Sequence, residues 1–257
     1  MAVDPLQVLQ ASNRAPARGL APGDAPGTLL IAGATGALGH ELVRRLAGRH
    51  RFDHTLVLAR EPIRDALKGV ETVLTPNAPI AQWPLVKADT ALVLFEPPRL
   101  YYDRERALWT PEPAQLPALA AWLRACGVRT LAVVQPHAQG RLPEALKRGL
   151  ASLDEHAVVS LGFERVLLVR SAQKPAQARF ANPAERLAAW MLSITRFMVP
   201  QSEQPVRASK VAELVDVALR IAPPGVHVAA PEVVWQASQG ELLGVVEGWV
   251  RPSSPSS

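Results

Sequence analysis

Three glycines at three-residue spacing, Gly33, Gly36 and Gly39, are the residues of this chain best placed to do chemistry. They follow the apolar run Leu29-Leu30-Ile31-Ala32. They precede apolar residues at helical spacing, Leu38, Leu42, Val43 and Leu46. Strand, glycine turn and helix together make an anion site. Without Cβ atoms the turn is tight, a pyrophosphate can approach the backbone, and the amides opening the helix face it. The spacing is GxxGxxG rather than GxGxxG, so the flanking strand and helix carry the reading. It predicts a bound dinucleotide and does not name a reaction.

Other residues that could act on a substrate are scattered. His137 stands just after an apolar strand candidate, where an imidazole titrating near neutrality can serve as acid or base. Lys147 lies in the following helical segment and offers a cation or, if desolvated, an acid. Gln135 could donate to a carbonyl. No GxSxG elbow or HExxH motif occurs, which excludes the common serine-hydrolase and zinc-protease readings. The single cysteine, Cys126, sits in an apolar helical stretch and reads as a core thiol.

The elements that must position these residues alternate along the chain. Strand candidates are Thr28–Ala32, Thr55–Ala59, Val70–Leu74, Ala91–Phe95, Thr130–Val134 and Arg165–Val169, with Val226–Ala229 as a late edge strand. Helical segments fall at Ala37–Ala47, Pro113–Cys126, Pro143–Leu153, Pro183–Phe197 and Ala208–Ile221. This alternation predicts an α/β fold, a doubly wound parallel sheet with helices on both faces. Residues 28–250 are expected to form one such domain. The stretch 1–27 reads as a disordered arm and 251–257 as a polar tail.

The wording Gly-Ala-Thr-Gly-Ala-Leu-Gly resembles the first turn of the extended and atypical short-chain dehydrogenase/reductases. In layout the chain is most similar to the Tat-interacting-protein-like NADPH binders and the NmrA-like regulators. The resemblance spans about Thr28 to Trp235, and only the glycine motif is sharp. It implies a Rossmann-like fold and a nicotinamide dinucleotide cofactor.

Position along the fold adds detail. About 20 residues after the turn the chain should reach the adenosine ribose. There the second strand ends in Arg60, where a guanidinium can pair with a 2′-phosphate and favours NADP; Glu61 beside it leaves NAD open. Asn77, after the third strand, can bond an adenine edge. After the fourth strand come Phe95, Glu96, Pro97 and Pro98, where the resemblance implies small residues running along the cofactor. The expected cofactor contacts are thus Gly33, Thr35, Gly36, Ala37, Leu38, Gly39, Arg60, Phe95, Glu96 and Gln135. The long loop from Glu96 to Pro113 reads as a lid.

The resemblance also implies a catalytic Tyr with a Lys four residues on, and a Ser or Thr ending the fifth strand. The two tyrosines here, Tyr101 and Tyr102, are followed at that spacing by Glu105 and Arg106, and Gln135 stands where the hydroxyl belongs. Lys147 has Pro143 four residues before it. The expectation is a nucleotide-responsive binding or regulatory protein. Its alternative is an NAD(P)H-dependent oxidoreductase using His137 and Lys147 on a small carbonyl compound.

The composition agrees: 48% apolar residues suit a globular domain. A net charge of +5 suits an anionic ligand. No nucleic-acid motif accompanies that charge, which argues against nucleic acid as a partner. No segment has the apolar length of a signal-peptide core or a membrane span, so the expected compartment is the cytoplasm. A small molecule or a protein remains as the further partner.

Overall fold

The computed structural model describes residues 27–47, 52–63, 69–99, 102–137, 152–172 and 206–251. Seven strands form one parallel sheet: β1 (Gly27–Ala32), β2 (Phe52–Ala59), β3 (Val70–Leu74), β4 (Thr90–Leu94), β5 (Thr130–His137), β6 (Arg165–Ala172) and β7 (Gly225–Ala229). Their order is β3-β2-β1-β4-β5-β6-β7. The chain winds outward in one direction from β1 to β3, then returns to the middle and winds the other way. This is the α/β, doubly wound, Rossmann-like fold that the alternation predicts. The reversal between β1 and β4 leaves a crevice at the carboxyl ends of those strands, where ligands of such sheets bind.

The helices among the described residues are α1 (Gly36–Leu46), α2 (Asp103–Ala107), α3 (Leu116–Ala125), α4 (Leu153–Ser160), α5 (Ala208–Ile221), α6 (Pro231–Gln239) and α7 (Leu242–Val250). They cover both faces of the sheet. Alternate residues of β1 enter different cores because strand side chains alternate in direction. Leu29 and Ile31 pack with α1, α5, α6 and α7. Leu30 and Ala32 pack with α3 and with Trp83, Trp109 and Trp122. All four β1 residues are fully buried, which explains the unbroken apolar run. The outer strands β3 and β7 are partly exposed, as sheet edges are.

Several boundaries differ from the sequence reading. The helix expected over Pro143–Leu153 falls outside the described residues except at its end, and there Leu153 opens α4 instead of closing a helix. Ser152 caps α4, its Oγ accepting the N–H of Glu155 at 3.2 Å. The segment Pro183–Phe197 lies outside the described residues. Pro113–Gln115 forms a 3-10 turn leading into α3. No helix among the described residues is long and apolar enough to cross a membrane. Cys126 is buried in the second core, and burial pushes its thiol pKa up.

Candidate functional site: the glycine turn and its carboxylates

The turn after β1 is built as the glycines predict. Gly33 and Gly36 have positive φ, 80° and 71°. A Cβ on Gly33 would stand 2.1 Å from the carbonyl oxygen of Leu94, at the end of β4. A Cβ on Gly39 would stand 2.4 Å from the carbonyl carbon of Ala34, so this glycine lets α1 lie against the turn. Helix α1 is then fixed by its apolar stripe, Leu42, Val43 and Leu46, all buried. Full burial of each such side chain is worth about 1.5–3 kcal/mol. A side-chain cap is worth about 1 kcal/mol, so the helix can dispense with one.

It does dispense with one. Thr35 occupies the cap position of α1 without a side-chain capping bond, and the first turn carries no acid. The Thr35 hydroxyl instead donates to the backbone oxygen of Glu96, and lies 3.2 Å from the hydroxyl of Thr110. The amides that open α1 are therefore left for acceptors from elsewhere.

Two carboxylates supply them. Glu96 Oε2 accepts from the N–H of Leu38 at 2.7 Å. Glu105 Oε2 accepts from the N–H of Gly36 at 3.0 Å. The Glu96 carboxyl also fills the space left by the missing side chain of Gly36: a Cβ there would stand 2.2 Å from Glu96 Cδ. Anions at a helix amino terminus are favoured by the exposed N–H groups and by the helix dipole. Here both anions belong to the chain itself.

Glu105 is buried and held from both sides. The backbone N–H of Arg99 donates to its Oε2 at 2.8 Å, and Arg99 Nε donates to its Oε1 at 2.7 Å. The second guanidinium nitrogen, Nη2, also donates to Oε1. Burial, the largest single influence, opposes ionisation of Glu105. The hydrogen bonds from Arg99 and Gly36, with the charge of Arg99, outweigh it together and hold the carboxyl below the ordinary glutamate range. Arg99 also covers the face of Tyr102, its Cζ 3.9 Å from the ring centroid.

The segment that brings these groups to the turn leaves the end of β4 and crosses toward β2; residues 95–99 and 102–110 are called the strap below. Its far end is woven into the sheet. Leu108 bridges Ala59 in antiparallel fashion. The N–H of Trp109 donates to the oxygen of Leu58 at 2.9 Å, and the N–H of Gly33 donates to the oxygen of Trp109 at 3.1 Å. The oxygen of Ala107 accepts from Arg60 at 2.7 Å and from Glu61 at 3.3 Å. The Trp109 ring is buried edge-to-face against Trp83, centroids 5.0 Å apart. Trp83 meets Trp122 likewise at 5.5 Å. A cavity lies between the strap, α1, β2 and β3, with His40, Val43, Val57, Val70, Arg104 and Leu108 among its walls.

The structure thus brings the turn residues, Thr35, Glu96 and the backbone of Arg60 to one end of the sheet. The Arg60 side chain is exposed, as is Asn77. Phe95 is half-buried and packs against the second core. Gln135 and His137 are carried by β5, two strands from β1, where they pair with Arg170 and Ala172 of β6. Lys147 and Tyr101 lie outside the described residues. Sequence reasoning missed Glu105 and Arg99. The signal for Glu105 was the charge-dense run Asp103-Arg104-Glu105-Arg106 placed in a loop beside an anion site.

The residues present do not fit a dinucleotide in this arrangement. A pyrophosphate needs the amides of Gly36 and Leu38 and the space over Gly36, and Glu96 and Glu105 hold all three. Two carboxylates would also repel the phosphates. The crevice beside the end of β2, where an adenosine ribose would lie, is bridged by Ala107 and Leu108.

Among solved structures, the chain is similar to the Bordetella bronchiseptica enzyme WbmG in complex with NAD. The two are 14% identical, over 90% of this chain and 81% of that one, with a TM-score of 0.43. It is similar to MoeE5 in complex with UDP-glucuronic acid and NAD at 16% identity, over 79% and 75% of the chains, with a TM-score of 0.45. It is similar to a mutated uronate dehydrogenase at 15% identity, over 90% and 83%, with a TM-score of 0.48. No protein-family model matches the chain, and no curated protein matches it in sequence.

Proposed function

We propose that this chain is a nucleotide-responsive binding or regulatory protein of the atypical short-chain dehydrogenase/reductase type, with NADP(H) as its nucleotide. The observation that carries the reading is the cradle over Gly36. Its missing Cβ and the amides of Gly36 and Leu38 make a site for anionic oxygens, and anionic oxygens are seated in it. The same cradle is what a pyrophosphate requires. A nucleotide that displaces the strap would alter the surface that the chain presents, and differential binding of this kind couples occupancy to a partner.

The missing Tyr–Lys pair supports a binding role over hydride transfer. Glu105, four residues after Tyr101, is committed to Gly36 and Arg99. Arg60, exposed at the end of β2, is the candidate for the 2′-phosphate. The test is calorimetric titration of the nucleotide-stripped chain with NADPH and NADH in parallel. Saturable binding that prefers NADPH is the expected result, and failure to bind either nucleotide overturns the reading.

A further inference from the structure

We propose that Glu96 and Glu105 act as an internal anionic ligand of the glycine turn, so that a dinucleotide gains the site only by displacing them. The inference rests on the reading of the turn as a dinucleotide site and adds the group that controls it. Three independent features support it. Both carboxylates reach the turn from far along the chain, Glu96 over 58 residues and Glu105 over 69. The Glu96 carboxyl fits the space where Gly36 lacks a side chain. The far end of the strap is fixed by the Leu108 bridge and the buried Trp109 ring, so the strap is built into the fold.

The two ends differ in what holds them. The Trp109 end is held by backbone bonds and an aromatic cluster. The carboxylates of the other end are held to the turn by charge-assisted bonds to two amides, those of Gly36 and Leu38, the contacts that a competing anion can replace, while the bonds from Arg99 to Glu105 lie within the strap itself. Displacement therefore begins at Glu96 and Glu105.

The test uses the full chain and three variants: Glu96→Gln, Glu105→Gln and the pair together. Glutamine keeps the shape and an acceptor oxygen but removes the charge. Each protein is titrated with NADPH and with NADH, and thermal melts confirm folding. The expected result is at least tenfold tighter binding of NADPH by the double variant than by the parent, with the single variants between. If the double variant does not fold, the single variants decide the matter by the same criterion at threefold. If parent and variants bind equally well, this inference falls and the nucleotide reading stands. If the variants bind and the parent does not, this inference stands and the parent's nucleotide response falls. If none binds, both fall.

Discussion

The carboxylate of Glu96 accepts the backbone N–H of Leu38 at 2.7 Å, and the chain thereby caps its first helix with a residue from beyond its fourth strand. A local cap would come from position 35, and Thr35 is turned to the backbone oxygen of Glu96 instead. The two contacts form a reciprocal clasp: Thr35 holds the Glu96 backbone while the Glu96 side chain holds α1. The glycine turn and the end of β4 are locked to each other across the crevice of the sheet.

Glu105 gives a pH prediction. Its carboxyl is held below the ordinary glutamate value in the folded state. A depressed folded pKa contributes stability that is fully present above the unfolded value, about 4.3, and is lost as pH falls through the folded one. Glu105→Gln should cost about 1.5–3 kcal/mol near neutral pH, the range for hydrogen bonds to charged groups. The difference in melting temperature between parent and variant should shrink as pH drops below 4 to 5. A constant difference across that window would mean that the carboxylate charge does not matter.

How much of this was legible in the sequence depends on the range of the interaction. The β1–turn–α1 unit was legible because everything it needs is local: an apolar run, glycines that permit positive φ, and a helical stripe. The β5 and β6 strands run further than expected, through Gln135-Pro136-His137 and Arg170-Ser171-Ala172, because an apolar pattern cannot mark buried positions that are polar, and Arg170 and Ser171 are buried. Of the loop expected as a lid from Glu96 to Pro113, the described residues Glu96, Glu105, Trp109 and Thr110 bond to the turn. Its purpose was not legible, because the partners of Glu96 and Glu105 are amides 58 and 69 residues away and carry no residue-type signal. Helix α2 has only five residues and no apolar stripe; the contacts of Glu105 and the Leu108 bridge fix its place. Two signals were available and unused. Ser152 with Glu155 three residues on is a helix-start pattern, and Pro231 suits the first position of α6.

Trp109 anchors the strap, and its removal should be felt throughout the second core. The ring is 7% exposed and packs edge-to-face on Trp83. Trp109→Ala should cost about 3–5 kcal/mol, the usual range for deleting a buried aromatic ring. Urea unfolding would measure it. A loss below 1 kcal/mol would mean that the strap end contributes little to the fold.

Arg60 carries the prediction on cofactor choice. If its guanidinium pairs with a 2′-phosphate, Arg60→Ala should weaken NADPH binding by about 1.5–3 kcal/mol, some ten- to hundredfold. NADH, which has no 2′-phosphate, should lose little. The side chain is exposed, so a fold defect should not confuse the result. Parallel titrations would decide it, and equal losses for both nucleotides would remove Arg60 from the specificity site.

The last prediction separates two glycines that sequence alone treats alike. Both Gly33 and Gly36 have positive φ, so an alanine at either should cost about 1–2 kcal/mol in backbone strain. Their steric surroundings differ. A Cβ at position 33 meets the backbone oxygen of Leu94 at 2.1 Å, and β4 is held on both sides by sheet partners, so nothing can yield. A Cβ at position 36 meets the Glu96 side chain at 2.2 Å, and that side chain can swing away at the cost of its bond to Leu38. Gly33→Ala should therefore destabilise the fold more than Gly36→Ala does. The steric part of Gly36→Ala should also vanish when Glu96 is truncated. In a double-mutant cycle, Gly36→Ala combined with Glu96→Ala should cost less than the sum of the two single changes. Chemical denaturation of the four proteins measures the coupling. Additive costs would mean that the Glu96 carboxyl does not occupy the cradle over Gly36 in solution, and the clasp between β4 and α1 would have to be abandoned.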